Sequence, residues 1–230
     1  MTALARAGQL HRPPPRLLAP PGVYAPQYDT ELLIRALGDE PVGGNTKVLD
    51  LGTGSGALAL AAARLGARVT AVDLSWRAVW TARLNARIHR TPITVRHGDL
   101  GAAFAPGSFD LIVSNPPYVP APSRLPPRHG AAQAWDGGLD GRIVVDRVCA
   151  AAARALRPGG TLLMVHSGLC DASASLGRLA DLGMEAAVTD RIFVPFGPVL
   201  RARRAWLCAR GLLDDDAIQE ELVVIRAELL

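Results

Sequence analysis

Residues 47–56 read KVLDLGTGSG, a short apolar strand that runs directly into a glycine-rich turn. An alanine-rich segment with helical spacing of its apolar residues follows from Ala57. Glycines at a strand-to-helix turn let a ligand approach the backbone closely and let the helix pack on the sheet. The segment therefore predicts the first strand and helix of an α/β nucleotide-binding unit.

Acidic residues follow three successive predicted strands. Asp50 ends the first strand, Asp73 ends the second about 20 residues after Gly52, and Asp99 follows the third. An acid at the position of Asp73 is typical of a residue that binds ribose hydroxyl groups. The glycines fit a dinucleotide and S-adenosylmethionine equally well, but a pyrophosphate needs a helix N-terminus free of negative charge. Because Asp50 lies just before the first glycine, a cationic ligand such as S-adenosylmethionine is favoured.

Residues 115–118, with the sequence NPPY, follow a second apolar run at residues 109–114. They are therefore expected at the carboxyl end of a buried strand, where open α/β sheets bind ligands. Two consecutive prolines end the strand and hold the backbone in an extended path. The Asn115 side-chain oxygen and the Pro116 carbonyl could then accept two N–H groups of a planar nitrogen, beside the ring of Tyr118. This arrangement indicates a reaction at a weakly nucleophilic amide or amino nitrogen.

Strand and helix patterns alternate along the chain. Seven strands are predicted, ending at or covering Asp50, Asp73, Val95, Ser114 and residues 161–165, 186–188 and 222–225. The repeated βα pattern implies a mostly parallel sheet with right-handed crossovers, which is a Rossmann-like, doubly wound α/β fold. One strand near the C-terminus is expected to run antiparallel to the others.

The domain organisation follows from composition. Residues 1–22 are rich in proline and arginine and are predicted to form a flexible tail, while residues 23–230 are predicted to form a single domain. Residues 119–141 are a long irregular stretch with four prolines. Structureless loops longer than about 15 residues in a compact domain are usually lids or binding loops. We therefore predict a substrate lid at residues 119–141.

Composition excludes several classes of protein. No apolar run in the 230 residues approaches the roughly 20 needed to span a membrane, and the N-terminal segment lacks the apolar core of a secretory signal. The three cysteines are far apart and the five histidines show no metal-ligand spacing. These observations predict a cytoplasmic protein with reduced thiols, no metal site and no membrane association.

The formal net charge is +4, and arginines concentrate near the C-terminal end at Arg201, Arg203, Arg204 and Arg210. Such a cluster is usually a solvated helix face. The alternative is a surface for RNA or another acidic partner.

The chain resembles the class I S-adenosylmethionine-dependent methyltransferases and, within them, the HemK family of protein glutamine N5-methyltransferases. The NPPY segment is shared with adenine methyltransferases, so it indicates the chemistry and not the substrate. Residues 23–33 resemble the entry segment of the shorter, eukaryotic and archaeal-type branch, and residues 135–142 resemble the loop after the catalytic motif. The resemblance covers residues 23–230 and implies that the N-terminal helical domain of the bacterial enzymes is absent.

The resemblance also implies roles for individual residues. It places around the cofactor Thr30, Asp50, Gly52, Gly54, Asp73, Asp99, Leu100 and Asn115. Asp50 would face the methionine amino group, Asp73 the ribose hydroxyls and Asp99 the adenine amino group. Asn115 and Pro116 would hold the methyl acceptor, and Tyr118 would form one wall. Alternatively, the acids and Thr30 could serve only as helix caps, and Tyr118 could be a core aromatic.

The predicted reaction transfers a methyl group from S-adenosylmethionine to the glutamine side chain of a protein such as a peptide-release factor, leaving S-adenosylhomocysteine. Alternatives are N6 methylation of adenine in RNA or DNA, N-methylation of a lysine or a small molecule, and a non-catalytic binding module. Nucleic acid is less favoured as a partner, because the sequence has no aromatic–basic stripe for splayed bases. No general base is evident. The resemblance also allows a small activator subunit. Ile93 and Val95 on the third strand could form an interface for it, but ordinary strand packing is the favoured interpretation of these two residues.

Overall fold

The computed structural model describes residues 16–100, 104–125, 127 and 130–230. The strands within these residues are β1 (Lys47–Leu51), β2 (Arg68–Asp73), β3 (Thr94–His97), β4 (Phe109–Ser114), β5 (Leu156–Ser167), β6 (Met184–Pro195) and β7 (Gln219–Leu229). The α-helices are α1 (Tyr28–Asp39), α2 (Ala57–Arg64), α3 (Trp76–Ile88), α4 (Arg142–Ala155), α5 (Ala172–Asp181) and α6 (Pro198–Ala209).

The described strands form one seven-stranded sheet in the order β3-β2-β1-β4-β5-β7-β6. β1 to β5 pair in parallel, and β7 runs antiparallel to both of its neighbours, β5 and β6. β7 is therefore the strand that runs against all the others. The prediction of a Rossmann-like, mostly parallel sheet with one antiparallel strand near the C-terminus is confirmed.

The connections place helices on both faces of the sheet. The units β1–α2–β2 and β2–α3–β3 step toward one edge, whereas β4–α4–β5 steps toward the other. Right-handed crossovers in opposite directions put their helices on opposite faces. In agreement with this, α1 packs with α2, and α4 packs with α5. The central strands are consequently covered on both sides, and Leu49, Ile112 and Leu163 are fully buried.

The turn between β1 and α2 requires glycine at Gly56. This residue has a φ of 88°, in the left-handed region, and a Cβ atom there would lie 3.2 Å from the Cβ of Ala82 in α3. The turn is also held against the end of β2, because the backbone N–H groups of Gly52 and Thr53 donate to the Val72 carbonyl at 2.9 and 3.0 Å. The glycine turn is thus fixed by its close approach to Ala82 of α3 and by its hydrogen bonds to the end of β2.

Some element boundaries differ from the sequence-based expectation. β5 begins at Leu156 and not at residue 161, because the Pro-Gly-Gly segment continues the strand across an irregularity in its pairing with β4. β6 and β7 are longer than predicted because they pair with each other along their whole length. α1 starts at Tyr28 with Gln27 as its N-cap, so Thr30 is not the helix cap that the sequence also allowed.

The N-terminal segment joins the fold earlier than predicted. Residues 1–15 of the predicted tail lie outside the described residues, but residues 16–22 lie along α3. The buried Asn85 side chain donates to the Leu18 carbonyl and accepts from the Leu18 N–H, both at 2.9 Å. It also donates to the Ser55 carbonyl at 2.8 Å. These contacts attach residues 16–22 to the domain, so the boundary at residue 22 is placed too late.

Replacing Asn85 by alanine should destabilise the protein by about 2 kcal/mol, because the change removes three hydrogen bonds and leaves the Ser55 carbonyl without its partner. The measurement is the free energy of unfolding from a denaturant titration. Arg87→Ala, at an exposed position on the same helix, is the control and should change stability by less than about 0.5 kcal/mol. Equal stability of the two variants would contradict the anchoring role of Asn85.

Candidate active site

The carboxyl ends of β1, β2 and β4 meet where the strand order reverses. β1 lies between β2 and β4, and the chain leaves this point in opposite directions, which opens a crevice above the sheet. Asp50 is the penultimate residue of β1, and Gly52 directly follows this strand. Asp73 ends β2, and Asn115 follows β4. The structure therefore brings these predicted site residues to one edge.

The Asp50 carboxyl group is fully buried at this edge. Its Oδ2 atom accepts from the Thr53 hydroxyl at 2.6 Å and from the Ala59 N–H in the first turn of α2 at 3.1 Å. Its Oδ1 atom is buried with no hydrogen-bond partner among the described residues. Burial raises the pKa of Asp50 to about 7, although the hydrogen bonds from Thr53 and Ala59 oppose the shift. Asp50 thus supports the start of α2 and also keeps one oxygen for a ligand.

Asp73 connects the end of β2 to the glycine turn. One carboxylate oxygen accepts from the Gly54 N–H at 2.9 Å and the other from the Ser75 N–H at 2.8 Å. Burial raises its pKa, against the opposing effect of these two backbone donors. Ser75, not Asp73, is the N-cap of α3. The alternative that Asp73 is only a helix cap is therefore wrong.

Asp99 and Leu100 lie after β3, at the margin of the described residues. The Asp99 carboxylate is half exposed and is bound by both oxygens to Arg147 of α4, at 2.6 and 2.7 Å. Leu100 has a φ of 40°, a left-handed conformation that is uncommon outside glycine and is found most often at functional sites. Asp99 is thus directed at α4, and its contact with an adenine ring stays a prediction.

The Asn115 side chain is held by the first turn of α1. Its Nδ2 atom donates to Thr30 Oγ1 at 3.3 Å, and the Thr30 hydroxyl donates to Asp29 Oδ1 at 3.2 Å. Thr30 is buried, so these contacts are shielded from water. Thr30, predicted as either a helix cap or a cofactor contact, is a contact of the NPPY segment in this structure.

Asp29 is the buried centre of the same network. Its Oδ2 atom accepts from the Tyr24 hydroxyl at 2.7 Å and from the Tyr118 hydroxyl at 3.0 Å, and its Oδ1 atom also accepts from the Thr30 N–H at 2.6 Å. Burial, and then the Asp29 carboxylate, raise the pKa of Tyr118 well above its usual range. Tyr118 is therefore a core aromatic that also bonds to Asp29, and its role as one wall of the acceptor site stays a prediction.

A small cleft lies beside this network. It is lined by Tyr24, Asp29, Asn115, Pro116, Tyr118, Val119, Ala134 and Trp135. All three residues predicted to act on the methyl acceptor, Asn115, Pro116 and Tyr118, contribute to its walls. The cleft also includes Trp135, from the far end of the predicted lid.

The base of the segment 119–141 is closed by backbone hydrogen bonds. The Val119 N–H donates to the Trp135 carbonyl at 2.7 Å, and the Gly137 N–H donates to the Val119 carbonyl at 2.9 Å. Arg203 of α6 forms an ion pair with Asp136 at 2.6 Å and donates to the Pro120 carbonyl at 3.0 Å. Both charged side chains are mostly buried. The two ends of the segment are therefore fixed to each other and to α6, next to the cleft.

Glu220 is a second buried carboxyl group near the cleft that sequence reasoning missed. It lies at the start of β7, and because β7 is antiparallel, this end reaches the same sheet edge as the end of β5. Its Oε1 atom is buried without a partner among the described residues. Burial raises the pKa of Glu220 to about 7, and its charge contributes to the raised pKa of Tyr118. No local sequence pattern distinguishes it from Glu221, which pairs with Arg191.

The arginine cluster is partly engaged within the chain. Arg201 donates to the Phe196 carbonyl and Arg204 to the Ala217 carbonyl, both at 2.6 Å, and Arg203 pairs with Asp136. Arg201 and Arg210 are exposed, as expected for a solvated helix face, and the alternative of a surface for RNA or another acidic partner stays a prediction.

Two further features are absent from the part of the chain that the structure describes. It contains no group of three or more histidine, cysteine, aspartate or glutamate side chains that could hold a metal ion. It also contains no helix with the length and apolar character needed to cross a membrane.

Comparison with known proteins agrees with this geometry. The family model "Methyltransferase small domain" matches residues 16–124. A putative protein N5-glutamine methyltransferase of Methanocaldococcus jannaschii is 33% identical over 177 residues, which cover 76% of this chain and 88% of the relative. A release factor glutamine methyltransferase of Mycolicibacterium smegmatis is 41% identical over 155 residues, 64% of this chain and 54% of the relative. The chain thus spans about half the length of this bacterial relative.

Among solved structures, the Mtq2 component of the E. cuniculi Mtq2–Trm112 complex shares the fold. The TM-score is 0.64 at 24% sequence identity, and the match covers 91% of this chain and 99% of the other. The relative from Methanocaldococcus jannaschii, which matches over most of both chains, confirms the resemblance found in the sequence. The solved structure shares the fold. The chain belongs to the protein N5-glutamine methyltransferase family.

Proposed function

We propose that the protein transfers a methyl group from S-adenosylmethionine to the side-chain nitrogen of a glutamine in a protein. The observation that carries the proposal is the orientation of Asn115. Its amide nitrogen is bonded to Thr30, which leaves its amide oxygen to accept beside Pro116 and Tyr118. An oxygen acceptor at a rigid diproline corner suits a group that presents N–H donors, as a primary amide does.

The residues at the sheet edge fit S-adenosylmethionine. The unpartnered Asp50 Oδ1 atom would be satisfied by the cationic amino group of the methionine moiety. Each oxygen of Asp73 accepts one backbone N–H and can still accept a ribose hydroxyl. Gly52 and Gly54 would let the ligand approach the backbone. For the adenine we propose Asp99 and Leu100, which requires Asp99 to share its carboxylate with Arg147.

The residues around the cleft would act mainly by orientation. When bound, the cofactor supplies a methyl carbon that is activated by a positively charged sulfur. The Asn115 oxygen and the Pro116 carbonyl would accept both N–H groups of the glutamine amide and align its nitrogen with that carbon, an effect worth several kcal/mol. They also favour the pyramidal nitrogen that develops as the bond forms, so they bind the transition state better than the ground state. Tyr118 and Trp135 would form walls beside the planar glutamine amide and exclude water from it.

The proposed substrate is a peptide-release factor. The bacterial relatives are named as release factor glutamine methyltransferases, and the E. cuniculi complex is described as responsible for methylating eRF1. Since release factors act in translation, this substrate implies a cytoplasmic enzyme.

A second candidate is a lysine acceptor, which is favoured by Asp29 in the cleft wall and by the buried carboxyl group of Glu220, whose charge acts on Tyr118. Asp29 and Glu220 would attract a lysine ammonium group. Glu220, with a pKa near 7, could take the proton that the ammonium must lose before it can act as a nucleophile. A methyl group mapped to a lysine side chain and not to a glutamine would support this candidate.

A partner subunit is supported by an exposed apolar face on α3. Trp76, Trp80, Leu84 and Ile88 are spaced four residues apart and are 56%, 63%, 48% and 53% exposed. This spacing places them on one side of α3, beside the edge strand β3, where Trp76 stacks on His97 at 4.1 Å. Exposed apolar patches of this kind mark interaction sites. We assign this α3 face to a small activator subunit, like Trm112 in the E. cuniculi complex.

Ile93 and Val95 fit the interpretation of ordinary packing better than that of a partner interface. Val95 belongs to the main core, and the partly buried Ile93 packs against it.

Asn115→Ala should retain cofactor binding and lose roughly 100-fold or more in turnover, by analogy with the removal of one oxyanion-hole donor. The assay incubates the enzyme with labelled cofactor and a release factor, and mass spectrometry maps the modified residue. Asn45→Ala, an exposed loop position, is the matched control. Wild-type turnover by Asn115→Ala, or a methyl group on nucleic acid only, would contradict the proposed function.

Cofactor affinity should fall as pH falls through about 7. Above its pKa of about 7, Asp50 is ionised and attracts the cofactor's ammonium group; below it, the protonated carboxyl does not. Calorimetry should give a dissociation constant roughly five- to tenfold larger at pH 6 than at pH 7.5, as expected from the ionised fraction. Asp50→Asn should bind weakly with no such dependence. If the wild-type protein binds the cofactor with the same affinity at both pH values, the ionised Asp50 does not bind the ammonium group.

Trp80→Glu should weaken binding of a Trm112-type subunit at least about tenfold, because it places a charge within the apolar α3 face. Ile218→Glu, which alters an exposed apolar side chain elsewhere, is the control. Binding is measured by calorimetry with both purified components. Identical affinities for the two variants would refute the assignment of the α3 face.

A further inference from the structure

The amide of an asparagine has two ends of nearly equal shape and opposite chemistry. Its oxygen only accepts hydrogen bonds, and its nitrogen only donates them. A half-turn of the Asn115 amide would replace the acceptor at the cleft by a donor, with little change in packing. The proposed chemistry therefore requires a contact that fixes which end of the Asn115 amide faces the methyl acceptor.

Two consecutive hydrogen bonds, one between Asn115 and Thr30 and one between Thr30 and Asp29, fix the orientation of the amide. Asp29 Oδ1 accepts the hydroxyl hydrogen of Thr30 at 3.2 Å. A hydroxyl has one hydrogen, so the Thr30 oxygen is left with only its acceptor capacity toward Asn115. The Asn115 nitrogen donates to that oxygen at 3.3 Å. The opposite orientation would place the Asn115 and Thr30 oxygens against each other without a hydrogen between them.

Asp29 anchors these hydrogen bonds because both of its carboxylate oxygens are already held by donors. Asp29 is 2% exposed, and its two oxygens accept from Tyr24, Tyr118 and both the N–H and hydroxyl of Thr30. Burial, followed by the Asp29 charge, raises the pKa of both Tyr24 and Tyr118. The two tyrosines consequently keep their hydroxyl hydrogens and act as donors to Asp29.

We infer that Asp29 and Thr30 are positioning residues that hold the Asn115 oxygen toward the methyl acceptor, a role that rests on the proposed function. They make the site specific for acceptors that present N–H donors, because a group presenting an oxygen would face another oxygen at Asn115. Thr30 acts on the reaction through Asn115 and not through contact with the cofactor.

Thr30→Val tests this inference, because valine keeps the shape of threonine and removes the hydroxyl. Turnover at saturating cofactor should fall roughly tenfold, about the value of one lost neutral hydrogen bond, while cofactor affinity by calorimetry stays unchanged. Thr30→Ser restores the hydroxyl and should recover most of the lost turnover. Asp29→Asn, which can donate as well as accept, should lower turnover in the same way and provides a second variant if Thr30→Val does not fold.

The outcomes separate this inference from the proposed function. Turnover within twofold of wild type in both Thr30→Val and Asp29→Asn, with Asn115→Ala inactive, would overturn the inference alone. Weaker cofactor binding by Thr30→Val with full turnover at saturating cofactor would also overturn it, in favour of a direct cofactor contact. Full activity of Asn115→Ala would instead overturn the proposed function.

Discussion

The buried Asp29 carboxylate joins the three segments that line the cleft beside Asn115, because it accepts hydrogen bonds from each of them. The donors come from Tyr24 in the entry segment, Thr30 in α1 and Tyr118 after β4. If one segment moved away, a charge in a dry environment would lose part of its compensation, which is costly. The entry segment, α1 and the diproline corner are therefore held in one arrangement, and Asn115 takes its orientation from it.

The sheet topology determines which other groups can reach the cleft. The antiparallel direction of β7 brings Glu220 to the edge where the parallel strands end. The extension of β6 leads into α6, whose Arg203 pairs with Asp136 and fixes the base of the segment 119–141. The C-terminal part of the chain thus contributes charge and support to a cleft whose proposed acceptor-binding residues, Asn115, Pro116 and Tyr118, lie near the middle of the chain.

Local patterns predicted much of the fold and part of the site. The bounds of β1, α3 and β4 follow from their apolar residues and from the glycine or proline residues nearby. The acids at the strand ends follow from the strand assignments. Predictions of element bounds and side-chain partners were less accurate where these depend on contacts between residues far apart in the chain. The ladder with β4 extended β5 through a Pro-Gly-Gly segment, and the pairing of Asp99 with Arg147 joins residues 48 positions apart. Asp29 and Glu220 could not be recognised as site residues, because their burial and partners exist only in the folded chain.

The most direct test of this account is a high-resolution crystal structure with S-adenosylhomocysteine and a glutamine-containing peptide from a release factor. The account predicts that the glutamine side-chain nitrogen lies about 2.7–3.2 Å from Asn115 Oδ1. The ligand sulfur should lie on the line along which a methyl group would pass to this nitrogen. Asn115 Nδ2 should still be bonded to Thr30. A glutamine bound elsewhere, or an Asn115 whose nitrogen faces the substrate, would contradict it.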